Sequence, residues 1–275
     1  MRLICVGDNV VDCYLDQGLY YPGGNAVNVA VNCRRNGVET VEYIGVFGDD
    51  PEADHIKWAL DQEGVAWSLS RKTYAASGHP AVSLDPDGDR VFVGGPKDTA
   101  QHIFRIRLTP ADLAHIGTFD LCHTSCYSGI EPELPALAKS TDVSYDFSTR
   151  LEPEYIDIVA PYVRMAFFSG SELTEEEITS IIDRCHRLGT EIVGVTQGSK
   201  GALFSRKGER FLQGIKPVEK MVDTMGAGDS FIAGFITRYM GGSSMEESLD
   251  YAATRAAATC GFHGGFGYPK PFEKR

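Results

Sequence analysis

The sequence predicts an α/β fold, a doubly wound and mostly parallel sheet carrying a small β lid. Three observations lead there. Short apolar runs alternate with longer amphipathic ones along nearly all of the 275 residues. The short runs are apolar at successive positions, as strands covered on both faces are. One stretch, around residues 81–93, breaks the rhythm with two strand-like pieces about a strong turn signal.

Leu3–Val6 reads as the first buried strand, and Ala26 to Asn36 as a helix whose faces are divided by Val27, Val31 and Arg34–Arg35 and which Gly37 ends. Val41–Val46 is the second strand. Pro51 suits the first turn of a helix that runs to Glu63 and stops at Gly64. Ala81–Leu84 and Arg90–Val93 flank Asp85-Pro86-Asp87-Gly88-Asp89, a hairpin inserted into the α/β chain. Together with Cys13–Tyr21 it is expected to form the lid, so the lid segments lie near 13–22 and 78–95. Leu121–Ser125, Val143–Phe147, Met165–Ser169 and Ile192–Thr196 complete the apolar strands. Between the last two, Thr174–Leu188 is a helix opened by the capping box Thr174-x-x-Glu177 and closed by Gly189.

Composition limits what the chain can do. Asp and Glu outnumber Lys and Arg by 38 to 26, a formal net charge of −12. That disfavours a nucleic-acid partner, which needs a basic stripe, and an anionic membrane surface. Leu3–Val6 is too short for a signal-peptide core or a membrane span. The seven cysteines are scattered without a C-x-x-C pair, and unpaired thiols fit a reducing, cytoplasmic setting. Cys122, His123 and Cys126 suggest a metal group at first sight, but core thiols at a strand end are the reading adopted.

The chemistry concentrates in Asp223-Thr224-Met225-Gly226-Ala227-Gly228-Asp229, which opens directly into an apolar helix lasting to Met240. Two glycines and an alanine let backbone approach a ligand, and free N–H groups at a helix start attract an anion. A carboxylate beside an anion site is electrostatically odd unless it takes a proton. Phosphoryl transfer needs donors on developing charge together with a base on the attacking hydroxyl, and Asp229 stands where such a base would. No Gly-Lys dipeptide occurs, so the P-loop is absent, and Gly7-Asp8-Asn9 lacks the dinucleotide fingerprint. Thr196-Gln197-Gly198-Ser199-Lys200-Gly201, between two strands, offers a backbone turn instead. At the carboxyl end of the first strand, Asp8 and Asp12 are ligand candidates.

The Asp223–Asp229 run resembles the C-terminal signature of the ribokinase/PfkB carbohydrate kinases, and Pro22-Gly23-Gly24-Asn25-Ala26-Val27-Asn28-Val29-Ala30 resembles their N-terminal one. The resemblance spans nearly the whole chain, residues 1–275, as a single ribokinase-like domain. It implies that Asp229 is the catalytic base and that Gly226, Ala227 and Gly228 form the anion hole. It places Asp223 and Thr224 near the nucleotide and, in some relatives, near a monovalent cation such as K⁺. Thr196, Gly198 and Gly201 would contact ATP, and His263 and Gly264 would border adenine. Asp12, Gly23, Gly24 and Asn28 would hold the sugar, with Asn25 a weaker candidate. Glu172 matches the family glutamate that organises hydrated Mg²⁺, although Ser169 stands where the family carries Asn. The likeness is strongest to the branch that phosphorylates the 6-hydroxyl of fructosamines such as fructoselysine. Another sugar or a nucleoside is the alternative acceptor, and a non-catalytic sugar-binding regulator is a more distant one. Two readings of the β lid stay open, closure over substrate with Arg90 or a homodimer surface.

Overall fold

A computed structural model of the chain describes residues 1–84 and 90–272, apart from the side chains of residues 84, 90 and 92. Its main sheet has eight strands in the order Glu209–Gln213, Ala202–Arg206, Ile192–Thr196, Met165–Ser169, Val143–Ser148, Leu121–Ser125, Arg2–Val6 and Thr40–Ile44. All neighbours pair in parallel from Ile192–Thr196 to Thr40–Ile44, and the last two strands at the other edge are antiparallel. The fold class read from the sequence is the one observed.

Alternation along each strand divides the interior into two apolar layers. Leu3 and Cys5, Met165 and Phe167, and Ile192 face one layer, while Ile4 and Val6, Ala166 and Phe168, and Val193 and Val195 face the other. Helices Asn25–Arg35, Pro51–Glu63, Ala227–Met240 and Met245–Thr259 cover the first. Pro110–Ile116, Leu134–Ser140, Pro153–Val159 and Glu175–Arg187 cover the second. With both faces covered, a run can be apolar at every position, and this is why those strands were visible in the sequence.

Local signals set the ends. Asp50 accepts from the Ala53 N–H at 2.9 Å to start Pro51–Glu63, and Gly64 stops it at φ 66°. Thr174 and Glu177 form the expected capping box. Met245–Thr259 starts where Ser244 and Glu247 make a capping box. Its small face lets the Ala227–Met240 helix approach closely. A Cβ on Gly234 would lie 3.0 Å from the Ala252 Cα.

The irregular segments form a second sheet in the order Lys270–Pro271, Leu19–Gly23, Val10–Tyr14, Ala81–Leu84 and Arg90–Gly94. Val10–Tyr14 and Leu19–Gly23 are an antiparallel pair on either side of a turn. Ala81–Leu84 and Arg90–Gly94 pair antiparallel as well. The 85–89 turn and the Arg90 side chain lie outside the described residues. Met225 packs with Tyr14, Tyr21 and Val82, so the second sheet touches the loop ahead of Ala227–Met240. Among the described residues, no helix is long and apolar enough to cross a membrane.

Candidate active site

Strand order reverses beside Arg2–Val6, whose neighbours are Thr40–Ile44 and Leu121–Ser125. Loops leaving the carboxyl ends of strands on either side of such a reversal diverge and leave a crevice. Here a cavity of about 420 Å³ is lined by Asp8, Asp12, Gly24, Asn25, Asn28, Asp146, Gly226, Gly228 and Asp229, among others. Residues read separately from the two ends of the sequence thus meet in one place.

Asp8 serves the helix start. Gly24, at φ 103°, is the N-cap of Asn25–Arg35 and has no side chain to cap with. A Cβ there would sit 2.9 Å from both the Asn9 Cα and the Asp8 carbonyl oxygen, so only glycine fits. The Asp8 carboxylate caps instead, accepting the N–H groups of Asn25 at 2.8 Å and Ala26 at 3.3 Å. Ser125 and Ser128 hydroxyls donate to it at 3.3 Å each. Burial pushes its carboxyl above the usual range, and the backbone N–H groups pull it back. Gly23 sits behind Asp12, where a Cβ would come within 2.3 Å of the Asp12 Oδ2.

Asp229 lies in the first turn of Ala227–Met240, whose N-cap Gly226 is at φ 73°. The helix therefore turns its positive end toward the same cavity. Asn28 donates to the Asp229 Oδ2 at 2.6 Å, and Asn25 donates to its Oδ1 at 2.8 Å. Asn25 also donates to Asp146 at 2.8 Å. Burial, and then the charge of Asp229, push the Asp146 carboxyl up to about 7. His123, wholly buried, meets the Asn25 Oδ1 through Nε2 at 3.1 Å.

Asp223, the first residue of the Asp223–Asp229 run, is fully buried. It accepts from the backbone N–H groups of Met225 and Gly264, both at 2.9 Å, and from the Tyr14 hydroxyl. Gly264 presses against Tyr21, with room for no Cβ, and His263 lies edge-on to Tyr14. Thr224 bonds the Ala227 N–H through its carbonyl at 3.2 Å.

Thr196 ends its strand, and Gly198–Lys200 form one tight turn with Gly198 at φ 57° and Gly201 at φ 94°. Lys200 ties this turn to the Ser171 carbonyl at 2.9 Å, beside the exposed Glu172. A second, shallower concavity of about 990 Å³ is walled by Lys216, Val218, Lys220, Thr254, Ala257 and Ala258. Its wall was not read from the sequence. The parts played by Asp146 in the cavity and by the buried His123 bonded to Asn25 also escaped that reading, although a buried strand interrupted by His or Asp is itself a signal.

A carboxylate held by two amides at a helix start, in a cleft at a sheet reversal, is suited to small-molecule group transfer, and the chain is a sugar kinase. It belongs to the pfkB family of carbohydrate kinases, whose model matches residues 1–270. Fructosamine kinase FrlD of Bacillus subtilis (strain 168) is 44% identical over 272 residues, covering 99% of this chain and 95% of that protein. Fructoselysine 6-kinase of Escherichia coli (strain K12) is 32% identical over 270 residues, covering 96% and 99%. The solved structure of Arabidopsis thaliana ribokinase complexed with ribose and ATP superposes with a TM-score of 0.81. It is 25% identical and covers 96% of this chain and 93% of that one.

Proposed function

We propose that the chain transfers the γ-phosphoryl group of ATP to the 6-hydroxyl of a fructosamine such as fructoselysine. The observation that carries the reading is the Asp229 carboxylate, fixed by Asn25 and Asn28 at a helix start that faces the same cavity. A primary hydroxyl directed at Asp229 would lose its proton there as its oxygen attacks the γ-phosphorus and the bond to the departing ADP breaks. The amides of Gly226, Ala227 and Gly228 would take the charge on the transferred group. Asp12, at the cavity wall with Gly23 behind it, is assigned to sugar hydroxyls, with Gly24 and Asn28 beside it in the lining. The names of the two bacterial relatives favour a fructosamine over another sugar.

The residues fit ATP. Thr196, Gly198 and Gly201 supply a glycine turn at a strand end, and the concavity of Val218, Ala257 and Ala258 offers apolar cover between Lys216 and Lys220. Mg²⁺ would neutralise phosphate charge, with Glu172 in its outer shell. That ion would be held mainly by phosphates and water. K⁺, a monovalent cation that some members of the family use, would lie near Asp223 and Thr224. The five-stranded sheet is read as a lid, since Val10 and Asp12 on one of its strands line the same cavity as Asp229. Its outer strands are also the surface through which a homodimer would form.

A panel of fructosamines, fructose, ribose and a nucleoside, each with ATP and purified protein, tests the proposal. Phosphorus NMR of the product should show phosphate on C6 of the fructosamine. Turnover of another acceptor with none of any fructosamine would reject it.

A further inference from the structure

We infer that Asn25 is a positioning residue for Asp229, and that the buried His123 locks its amide in the orientation this requires. The inference rests on the reading of Asp229 as the base. Asn25 has every polar atom of its side chain engaged. Its Nδ2 reaches carboxylate oxygens of Asp146 and Asp229 at 2.8 Å each, one N–H for each. Its Oδ1 faces His123 Nε2 at 3.1 Å. Turning the amide over would set its oxygen against the Asp229 Oδ1 at 2.8 Å, acceptor against acceptor.

The histidine has one consistent tautomer. Oδ1 of Asn25 can only accept, so Nε2 carries the proton. Nδ1 then accepts the hydroxyl of Ser144 at 2.9 Å, its register partner on the adjacent strand. Burial keeps the ring neutral by pushing its ionisation down to about 3, so a single ring proton is available. Ser144 and His123 are both wholly buried in strands, and the backbone N–H of Asn25 is fixed by Asp8. The string Ser144–His123–Asn25–Asp229 therefore runs from the rigid sheet to the carboxylate. Held at Oδ1 by Asn25 and at Oδ2 by Asn28, Asp229 has its plane fixed before an acceptor arrives. His123 and Asn25 act through Asp229 and are given no contact with the reacting atoms.

Asn25→Ala, His123→Leu, His123→Gln and Asp229→Asn would be compared by steady-state kinetics. Asn25→Ala keeps the backbone N–H bond to Asp8 and carries the test if His123→Leu does not fold. Asn25→Ala and His123→Leu are expected to lower kcat by roughly 10- to 100-fold, the scale of a misaligned reacting group. KM for ATP and for the acceptor should stay within about twofold, since ground-state binding is untouched. His123→Gln keeps an N–H near the Nε2 position and should restore most of the kcat lost in His123→Leu. Wild-type kcat in Asn25→Ala overturns the inference, as does a raised acceptor KM with kcat intact, which makes Asn25 a substrate contact. Equal losses in both His123 variants overturn the role of the histidine. If Asp229→Asn keeps wild-type turnover, the base reading fails. If Asp229→Asn is inactive and Asn25→Ala is not, only the positioning role fails.

Discussion

The hydroxyl of Tyr14, on the second sheet, donates to the buried carboxylate of Asp223 at the head of the Asp223–Asp229 run. Burial and the neighbouring Asp223 both raise the ionisation of Tyr14, so the phenol keeps its proton and remains the donor. One bond thus joins the strand that carries Asp12 to the loop that leads to Asp229. Tyr14→Phe leaves Asp223 with the Met225 and Gly264 N–H groups and removes a bond to a charged acceptor. A stability loss of about 1.5–3 kcal/mol is expected in urea unfolding. An unchanged midpoint and slope would show the bond to be energetically idle.

Asp229→Asn preserves shape and removes the capacity to take a proton. Turnover should fall by roughly 10²–10⁴-fold, the usual worth of a general base, while ATP binding measured by calorimetry is retained. Wild-type turnover would exclude Asp229 as the base.

Close backbone contact is required where the Asp223–Asp229 run meets the segment after Met245–Thr259. A Cβ on Gly226, at φ 73°, would lie 2.5 Å from the Gly265 Cα, and one on Gly265 would lie 2.5 Å from the Asn28 Oδ1. Gly226→Ala should destabilise by about 1–3 kcal/mol through the left-handed backbone alone. Gly265→Ala meets the movable end of a side chain, so its main effect falls on catalysis. Displacing Asn28 from Asp229 should cut kcat by roughly 10-fold or more with a near-native melting temperature. Full activity in Gly265→Ala would detach Asn28 from the reaction.

Asp146 gives stability a pH dependence whose sign is fixed. Its carboxyl is raised by burial, then by Asp229, to about 7 in the folded chain, against 3.8 for an ordinary aspartate. The folded state therefore binds the extra proton, and the stability linked to Asp146 is complete below pH 3.8 and lost as pH rises through about 7. His123 acts oppositely, since its depressed ionisation near 3 costs stability as pH falls below 6.5. Comparing wild type with Asp146→Asn isolates the first effect. Denaturation midpoints should shift in favour of the variant between about pH 4 and pH 8. Parallel curves would mean that Asp146 is ionised in both states.

Much of the scaffold could be read from residue order. Leu121–Ser125, Met165–Ser169 and Ile192–Thr196 have the bounds expected, because apolar runs covered on both faces are local signals. Val10–Tyr14 was less visible, as Asp12 interrupts the run and Pro22 disguises its partner Leu19–Gly23. The ends of the cavity were marked by Gly23-Gly24 and Gly226-Ala227-Gly228, where backbone must come close. Its polar wiring was not. Asn25 meets His123 and Asp146 across 98 and 121 positions, and no spacing rule connects residues that only the sheet brings together.

The strand order of the main sheet also bears on how the chain is made. After Arg2–Val6 has paired with Thr40–Ile44, Leu121–Ser125 adds on the other side of Arg2–Val6, and each later strand to Glu209–Gln213 adds beside its predecessor on that growing edge. The sheet can assemble in the order of synthesis, without opening a pairing already made. The Ala227–Met240 helix emerges only after the eighth strand, so a nascent chain can complete its scaffold before it holds Asp229. Activity recovered during translation should therefore appear late and all at once, while protection of the central strands from proteolysis builds gradually.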